Sequence, residues 1–282
     1  MGYRPIGAHV PVSGGLATAG LRYAATVGAE VIQLFVSNPR GWALSNGDPA
    51  EDAALAQSGL PVYVHASYLV NLASPDPQTA ARSAESLRHA LRRAAEIDAG
   101  GVVVHAGSAV TGEHARARRQ VRDKLMPLLD DIEDHGPCLL LESMASPGLC
   151  ARVTDFAIYL DALSWHPRLG ICLDTCHVYA AGHDLAAPGG VAWMLDALQS
   201  AVGPGRLKLV HANDSKDPCG SRRDRHEHIG AGYIGAGPLG TEPFRELLHH
   251  PLTAGIPFIV ETPGPAKPHA HDIAVLKALR KQ

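Results

Sequence analysis

Short runs of apolar residues recur along the chain, and six of them end on a residue that can bind a metal ion. The six runs are Pro61–His65, Gly101–His105, Cys138–Glu142, Leu169–Asp174, Leu207–His211 and Pro257–Glu261. Continuous runs of Val, Ile and Leu are typical of strands buried on both faces, as in a parallel sheet. Two further runs, Ile6–His9 and Ala29–Val36, precede these six, so the pattern predicts eight strands.

Helical patterns lie between the predicted strands. Apolar residues recur with helical spacing in Thr79–Ile97, His114–Ile132, Val191–Val202 and His271–Arg280. The predicted strand ends are spaced as expected for β–α units of roughly 30 or more residues. We therefore predict a (β/α)8 TIM barrel, with residues 1–282 forming this single domain. The longest gap between strands, Ala212–Ile256, contains a Gly-rich stretch that predicts an irregular loop at the barrel mouth.

The side chains that end the six runs should lie close together. In a barrel of parallel strands, the C-terminal ends of the strands meet at one face, where active sites are built. These ends supply three His, two Glu and one Asp, which are His65, His105, Glu142, Asp174, His211 and Glu261. Zinc binds imidazole nitrogen and carboxylate oxygen at low coordination number. The pattern therefore predicts a metal centre.

Two loops offer further candidate ligands. His177 follows Asp174 by about one helical turn, and Asp224 and His226 have the i, i+2 spacing that places side chains on one side of an extended segment. His228 is an alternative to His226. These candidates exceed what a single ion takes, so we predict three ions with three to four protein ligands each and one shared carboxylate. His9, at the end of the first run, is a candidate to support a ligand.

Composition limits the classes of protein that fit. Hydrophobic residues make up 46% and charged residues 19%, which predicts a large core and argues against disorder. The net charge of −3 argues against a broadly basic nucleic-acid binder, although three divalent ions would focus positive charge in one cleft. We find no membrane span or signal-peptide pattern, and the five cysteines suit a reducing compartment, so we expect a cytoplasmic protein. Cys172 and Cys176 are interpreted as packing residues.

Several longer segments resemble a known family. They are Leu173–Leu185, His211–Lys216 and Gly220–His226, with shorter matches at Ile6–Val10, His65–Leu72 and Val260–Pro263. These segments look like the signatures of endonuclease IV, a family of zinc-dependent apurinic/apyrimidinic endonucleases with a (β/α)8 barrel. The similarity spans nearly the whole chain. One departure is Ser143–Gly148, where the family commonly has Asn-Thr-Ala-Gly, and it leaves the loop shape and the hydrogen bonds to Glu142 open.

The resemblance implies three zinc ions and assigns ligands to each, with Mn²⁺ as an alternative at one or more sites. The first set is His65, His105 and Glu142, the second is Glu142, Asp174, His211 and Glu261, and the third is His177, Asp224 and His226. Glu142 would bridge the first two ions and is also the candidate catalytic residue.

The resemblance further implies cleavage of duplex DNA on the 5′ side of abasic sites, leaving a 3′-hydroxyl and a 5′-deoxyribose phosphate. Removal of 3′-blocking groups is implied as well. Arg40 matches a residue that enters the DNA stack, while Tyr68 and Leu69 match residues that fill the space of the flipped-out nucleotide. Extruding a nucleotide costs least where the base is missing, so flipping itself selects abasic sites. We expect a monomer that acts on DNA.

Two other interpretations use the same residues. A one-metal sugar isomerase or epimerase on a related barrel would use ligands that match Glu142, Asp174, His211 and Glu261. That interpretation leaves His65, His105, His177 and the Asp224–His226 pair without a role. A damage-binding protein without turnover would keep the fold, and a chelator-sensitive nicking assay separates it from an enzyme.

Overall fold

The structure is a computed structural model that describes residues 2–110, 112–146 and 148–282. Within these ranges, eight parallel strands close into a barrel, and each strand pairs with its neighbours in parallel register. The barrel strands are β1 (Ile6–His9), β2 (Ile32–Leu34), β3 (Val62–His65), β4 (Gly101–His105), β5 (Cys138–Glu142), β6 (Leu169–Asp174), β7 (Leu207–His211) and β10 (Phe258–Val260). The predicted barrel is therefore confirmed.

Helices connect the strands on the outside of the barrel. They are α1 (Leu16–Val27), α2 (Pro49–Ala56), α3 (Pro77–Glu96), α4 (His114–Asp130), α5 (Asp155–Ala162), α6 (Thr175–Ala181), α7 (Gly190–Val202), α8 (Glu242–His249) and α9 (Ala266–Lys281), with a 3₁₀ turn at Pro251–Thr253. The four predicted helices are all present. The last one begins at Ala266 instead of His271. Pro268 does not prevent this earlier start, because it lies in the first turn of the helix, where the backbone N–H groups have no partner within the helix.

The long gap after β7 is more ordered than the sequence predicted. It contains a short antiparallel pair formed by β8 (Asp214–Ser215) and β9 (His226–Glu227), and it also contains α8. The Gly-rich stretch is irregular, as expected, and the buried carboxylate of Asp214 anchors it by accepting hydrogen bonds from the backbone of Gly230, Ile234 and Gly235. Among the helices that the structure describes, none is both long and apolar enough to cross a membrane.

A layer of apolar side chains fills the inside of the barrel. It consists of Val31, Val103, Leu140, Cys172, Leu209 and Ile259, all fully buried. Alternate residues of a strand lie on the same face, so the residue two positions after each of these also points inward, one layer nearer the mouth. In five of the six strands that next residue is a candidate metal ligand, and in β2 it is Gln33. Because of this strand periodicity, the polar candidate site lies directly above the apolar layer, which is called the apolar floor below.

Candidate metal centre

The candidate ligands converge in overlapping groups at the C-terminal ends of the strands, and two of these groups also include Cys172 or Cys176. The contacts are described below for the three predicted ligand sets. The first group joins β3, β4 and β5. Nε2 of His65 and Nε2 of His105 each lie 3.2 Å from Oε2 of Glu142. His105 and Glu142 are direct partners in the parallel register, so the pairing of β4 with β5 sets their separation.

The second group uses the other oxygen of Glu142. Nδ1 of His211 lies 2.8 Å from Oε1 of Glu142, 3.2 Å from Oε2 of Glu261 and 3.8 Å from Oδ2 of Asp174. Asp174 and His211 are register partners across β6 and β7. Glu142 therefore directs one carboxylate oxygen to each of the first two groups.

The third group lies beside the second. Oδ1 of Asp224 is 3.0 Å from Nε2 of His177 and 3.2 Å from Nε2 of His226. Oδ2 of Asp174 is 3.7 Å from Nε2 of His226, so Asp174 lies between the second and third groups. Asp174 also caps α6, because its Oδ1 accepts a hydrogen bond from the backbone N of His177 at 2.9 Å.

Three of the candidate histidines are oriented as metal ligands usually are. Nδ1 faces the backbone carbonyl of Ala66 in His65 at 2.7 Å, of Ser143 in His177 at 2.8 Å, and of Glu261 in His226 at 3.1 Å. A proton on Nδ1 satisfies these carbonyls and leaves Nε2 free to bind a metal ion. Nε2 of both His177 and His226 is buried close to Oδ1 of Asp224, and among the described residues neither nitrogen makes a well-aligned hydrogen bond.

The distances also suit small cations. Ligands at 2.0–2.1 Å from a tetrahedral zinc ion lie about 3.3 Å from one another. The 3.0–3.2 Å contacts of the first and third groups are close to this value. The donor set is imidazole and carboxylate, which zinc prefers. These residues therefore fit divalent zinc.

Neighbouring charged residues in the cluster shift one another's pKa. Burial raises the pKa of Glu142, but the neighbouring His211 and His105 outweigh it, and the net pKa lies well below its usual range. Burial lowers the pKa of His226, but the charge of Asp174 and the carboxylate of Asp224 raise it to about 9. Glu142 is thus ionised at neutral pH, and a cation that binds to this cluster competes with the proton on His226.

The structure distinguishes His226 from His228, the two alternative ligands that the sequence left open. Nδ1 of His228 lies 2.8 Å from Oδ2 of Asp272, whereas His226 faces Asp224, so the geometry favours His226 as the ligand.

Cys172 belongs to the apolar layer inside the barrel, and burial raises the pKa of its thiol to about 12. The buried Cys176 thiol also has a raised pKa, because of burial and the nearby charge of Asp174. Both thiols are protonated at neutral pH, consistent with packing residues.

Sequence patterns missed several uncharged residues around the ligands. Asn213 donates from Nδ2 to Oδ2 of Asp174 at 2.7 Å and accepts from the backbone N of Glu261 at 2.8 Å. Gln33 contacts both His211 and Glu261. The signal that identifies Gln33 is its polarity at an inward position of an otherwise apolar strand.

The supporting role predicted for His9 has a geometric counterpart, because its Nδ1 lies 3.3 Å from Oε1 of Glu261. Ser143, where the sequence departs from the family pattern, contacts a different candidate ligand from its neighbour Glu142. Oγ of Ser143 accepts a hydrogen bond from the backbone N of Asp174 at 3.0 Å. This places the side chain of Ser143 against Asp174. Pro147, in the same segment, lies outside the described residues.

The three candidate DNA contacts lie together at the barrel mouth. Arg40 is exposed, Tyr68 is 48% exposed, and Leu69 is half-buried. The carbonyl of Pro39 accepts hydrogen bonds from the backbone N of Tyr68 at 3.1 Å and from Oγ of Ser67 at 2.8 Å, which docks the loop after β2 onto the loop after β3. The ring of Tyr68 stacks over His105 with centroids 6.2 Å apart. Tyr68 therefore borders the first ligand group.

Comparison with known proteins places the chain in a family. The family described as xylose isomerase-like TIM barrel matches residues 21–279. A probable endonuclease 4 of Streptomyces avermitilis is 54% identical, with 98% of this chain and 90% of that protein covered. The crystal structure of endonuclease IV from Thermus thermophilus is 33% identical, with 98% and 99% covered and a TM-score of 0.84. A D-tagatose 3-epimerase-like protein shares the fold, with 20% identity, 98% and 97% covered and a TM-score of 0.72. The chain therefore belongs to the endonuclease 4 family of xylose isomerase-like TIM barrels.

Proposed function

We propose that this protein is a DNA-repair endonuclease that hydrolyses the phosphodiester 5′ to abasic sites in duplex DNA and also removes 3′-blocking groups. The products of incision are a 3′-hydroxyl and a 5′-deoxyribose phosphate. Three zinc ions serve the reaction, with Mn²⁺ as an alternative at one or more sites. The observation that carries the proposal is the convergence of nine donors in three groups, two of which share Glu142.

Closely spaced divalent ions lower the pKa of water and neutralise charge on an attacked phosphodiester. The chain supplies the spacing. Glu142 is fully buried, so its two oxygens keep the first and second groups at a fixed separation. Asp174 does the same for the second and third groups, since its Oδ2 lies near both His211 and His226. These fixed distances support a single binding position for the scissile phosphate.

DNA recognition is assigned to the loops after β2 and β3. Arg40 enters the stack beside the lesion, while Tyr68 and Leu69 fill the space vacated by the flipped nucleotide. Hydrogen bonds to the carbonyl of Pro39 join the two loops. This supports a joint role, because Arg40 and Tyr68 then keep their positions relative to each other. The position of Tyr68 over His105 supports this assignment, because a sugar phosphate in contact with Tyr68 would lie beside the first ligand group.

A sugar isomerase or epimerase is the second candidate that the donor set allows. The likeness to the epimerase-like structure extends to the fold alone. A one-metal enzyme would need neither His65 and His105 of the first group nor the ligands of the third group. The surplus of donors, together with the likeness to proteins named endonuclease 4, favours the nuclease.

Metal analysis and a nicking assay together test the proposal. Elemental analysis of protein purified without chelator should find about three zinc ions per chain, and a duplex with one abasic site should be nicked on its 5′ side in a chelator-sensitive manner. One ion without nicking would favour the isomerase. Binding to abasic DNA without nicking would favour the damage-binding protein. The single domain, the monomeric state and the cytoplasmic location stay predictions.

A further inference from the structure

Gln33 is an uncharged residue in contact with two of the candidate ligands. It lies in β2, is fully buried, and follows the floor residue Val31 by two positions. Its Oε1 is 2.9 Å from Nε2 of His211, and its Nε2 donates to Oε1 of Glu261 at 2.6 Å. The amide therefore touches two side chains of the second group from the side opposite to Glu142.

The orientation of the amide is determined by its surroundings. Turning it over would set its oxygen against the carboxylate of Glu261 and its NH₂ against His211, which would lose the hydrogen bond to Glu261. With the oxygen facing His211, Nε2 of His211 must carry the proton, because an amide oxygen only accepts. In a neutral His211, the form that binds a metal ion, the lone pair is then on Nδ1, which is the atom 2.8 Å from Oε1 of Glu142.

The same amide directs the carboxylate of Glu261. Gln33 occupies Oε1, and Oε2 is left facing Nδ1 of His211 at 3.2 Å. Nε2 of Gln33 also lies 3.0 Å from Nδ1 of His9, so a third side chain packs against the amide. A buried amide with all of these partners is held in one position, so it can define the position of the ligands it touches.

We propose that Gln33 is a positioning residue for the second metal group: its amide presents Nδ1 of His211 and Oε2 of Glu261 to the same divalent ion. This proposal rests on the proposed function, because it requires that the group binds a metal. Residues that orient metal ligands in this way typically contribute 10–100-fold to metal affinity. The expected contribution of Gln33 lies in that range.

Two substitutions test the positioning role. Gln33→Leu fills similar space without hydrogen bonds. Gln33→Glu keeps an acceptor for His211 but sets an oxygen against Glu261. Gln120→Leu is the matched control, because the amide of Gln120 donates to the carbonyls of Leu72 and Ser74 and contacts no candidate ligand. Thermal unfolding of the metal-free proteins shows whether each variant is folded.

Affinity is measured with Zn²⁺ by competition against a chromophoric chelator, and separately with Co²⁺ by visible absorption. We expect both Gln33 variants to bind one ion about 10–100-fold more weakly than the wild type, with an altered cobalt spectrum. Gln120→Leu should match the wild type in both. Wild-type affinity in folded Gln33 variants overturns the positioning role. Metal-free Gln33 variants that are all unfolded overturn it too, since Gln33 would then stabilise the barrel itself. A wild type that binds neither ion refutes the metal centre of the proposed function instead.

Discussion

Glu142 is the residue on which two of the ligand groups depend. Its side chain is fully buried at the end of β5, with Oε2 facing His65 and His105 and Oε1 facing His211. Burial of a carboxylate is unfavourable unless positive charge compensates it, and the histidines lower its pKa well below its usual range. Its charge is therefore part of the site at every physiological pH.

Replacing Glu142 tests the shared carboxylate. Glu142→Ala removes one ligand from each of two groups, so incision of abasic DNA should fall by at least about 100-fold, since even residues that merely orient ligands contribute 10–100-fold. Elemental analysis should show reduced zinc in the same preparation. The exposed Glu133→Ala serves as control and should retain both zinc and activity. Near wild-type turnover in a correctly folded Glu142→Ala protein would refute the bridge.

The sequence predicted the charged part of the site and missed the uncharged part. Every candidate ligand that ends a strand follows an apolar run, so periodicity alone places the six side chains at one face. The polarity of Gln33 in an apolar strand marks the residue, but its partner His211 is 178 positions away along the chain. The sequence therefore does not show which ligand the amide contacts, and only the tertiary structure sets that distance.

At the scale of elements, strands were easier to predict than connections. The predicted second strand, Ala29–Val36, is observed as Ile32–Leu34, because the chain turns away towards the loop that contains Arg40. Short helices such as α5 and α6 were not predicted, since eight or fewer residues give little periodic signal. Tertiary contacts determine these connections, and they position the loops at the mouth.

The loop after β2 is expected to act in DNA binding without contributing to the metal centre. Arg40→Ala removes an exposed cation from a loop whose backbone stays docked through Pro39, so abasic-duplex affinity should fall about tenfold, the effect of losing one charged contact. Zinc content should not change. Fluorescence anisotropy at fixed salt measures the affinity. Arg88→Ala is the control, because Arg88 lies near Gly136 and Pro137 at the opposite end of the barrel. Loss of zinc from Arg40→Ala would show instead that Arg40 stabilises the scaffold.

At the scale of the whole molecule, the barrel is closed by contacts between the two ends of the chain. β1 pairs with β10, and α9 packs on β1 and α1. Glu30 joins these parts: its carboxylate accepts from the backbone N of Ile6 at 3.0 Å, from Nη1 of Arg280 at 2.7 Å, and contacts Nζ of Lys277 at 2.9 Å. One carboxylate therefore connects the first strand to the last helix.

Glu30 should make barrel closure sensitive to acid. Partial burial raises its pKa, but the hydrogen bonds from Arg280 and Lys277 outweigh this and lower the pKa to about 2. Because the folded-state pKa is depressed, the stabilisation is fully present above the ordinary pKa of about 4.5 and is lost as the pH falls towards 2. Glu30→Gln should thus lower the free energy of unfolding by about 1–2 kcal/mol at pH 7, a modest value because the side chain is partly exposed.

Urea unfolding of wild type and Glu30→Gln between pH 7 and pH 3 measures this difference. Since the candidate metal ligands titrate in both proteins, their contribution cancels in the comparison, and what is left reports on Glu30. The difference should stay constant down to about pH 4.5 and then shrink as the wild-type carboxylate takes up its proton. A difference that is the same at every pH would mean that the shape of the side chain, and not its charge, connects β1 to α9.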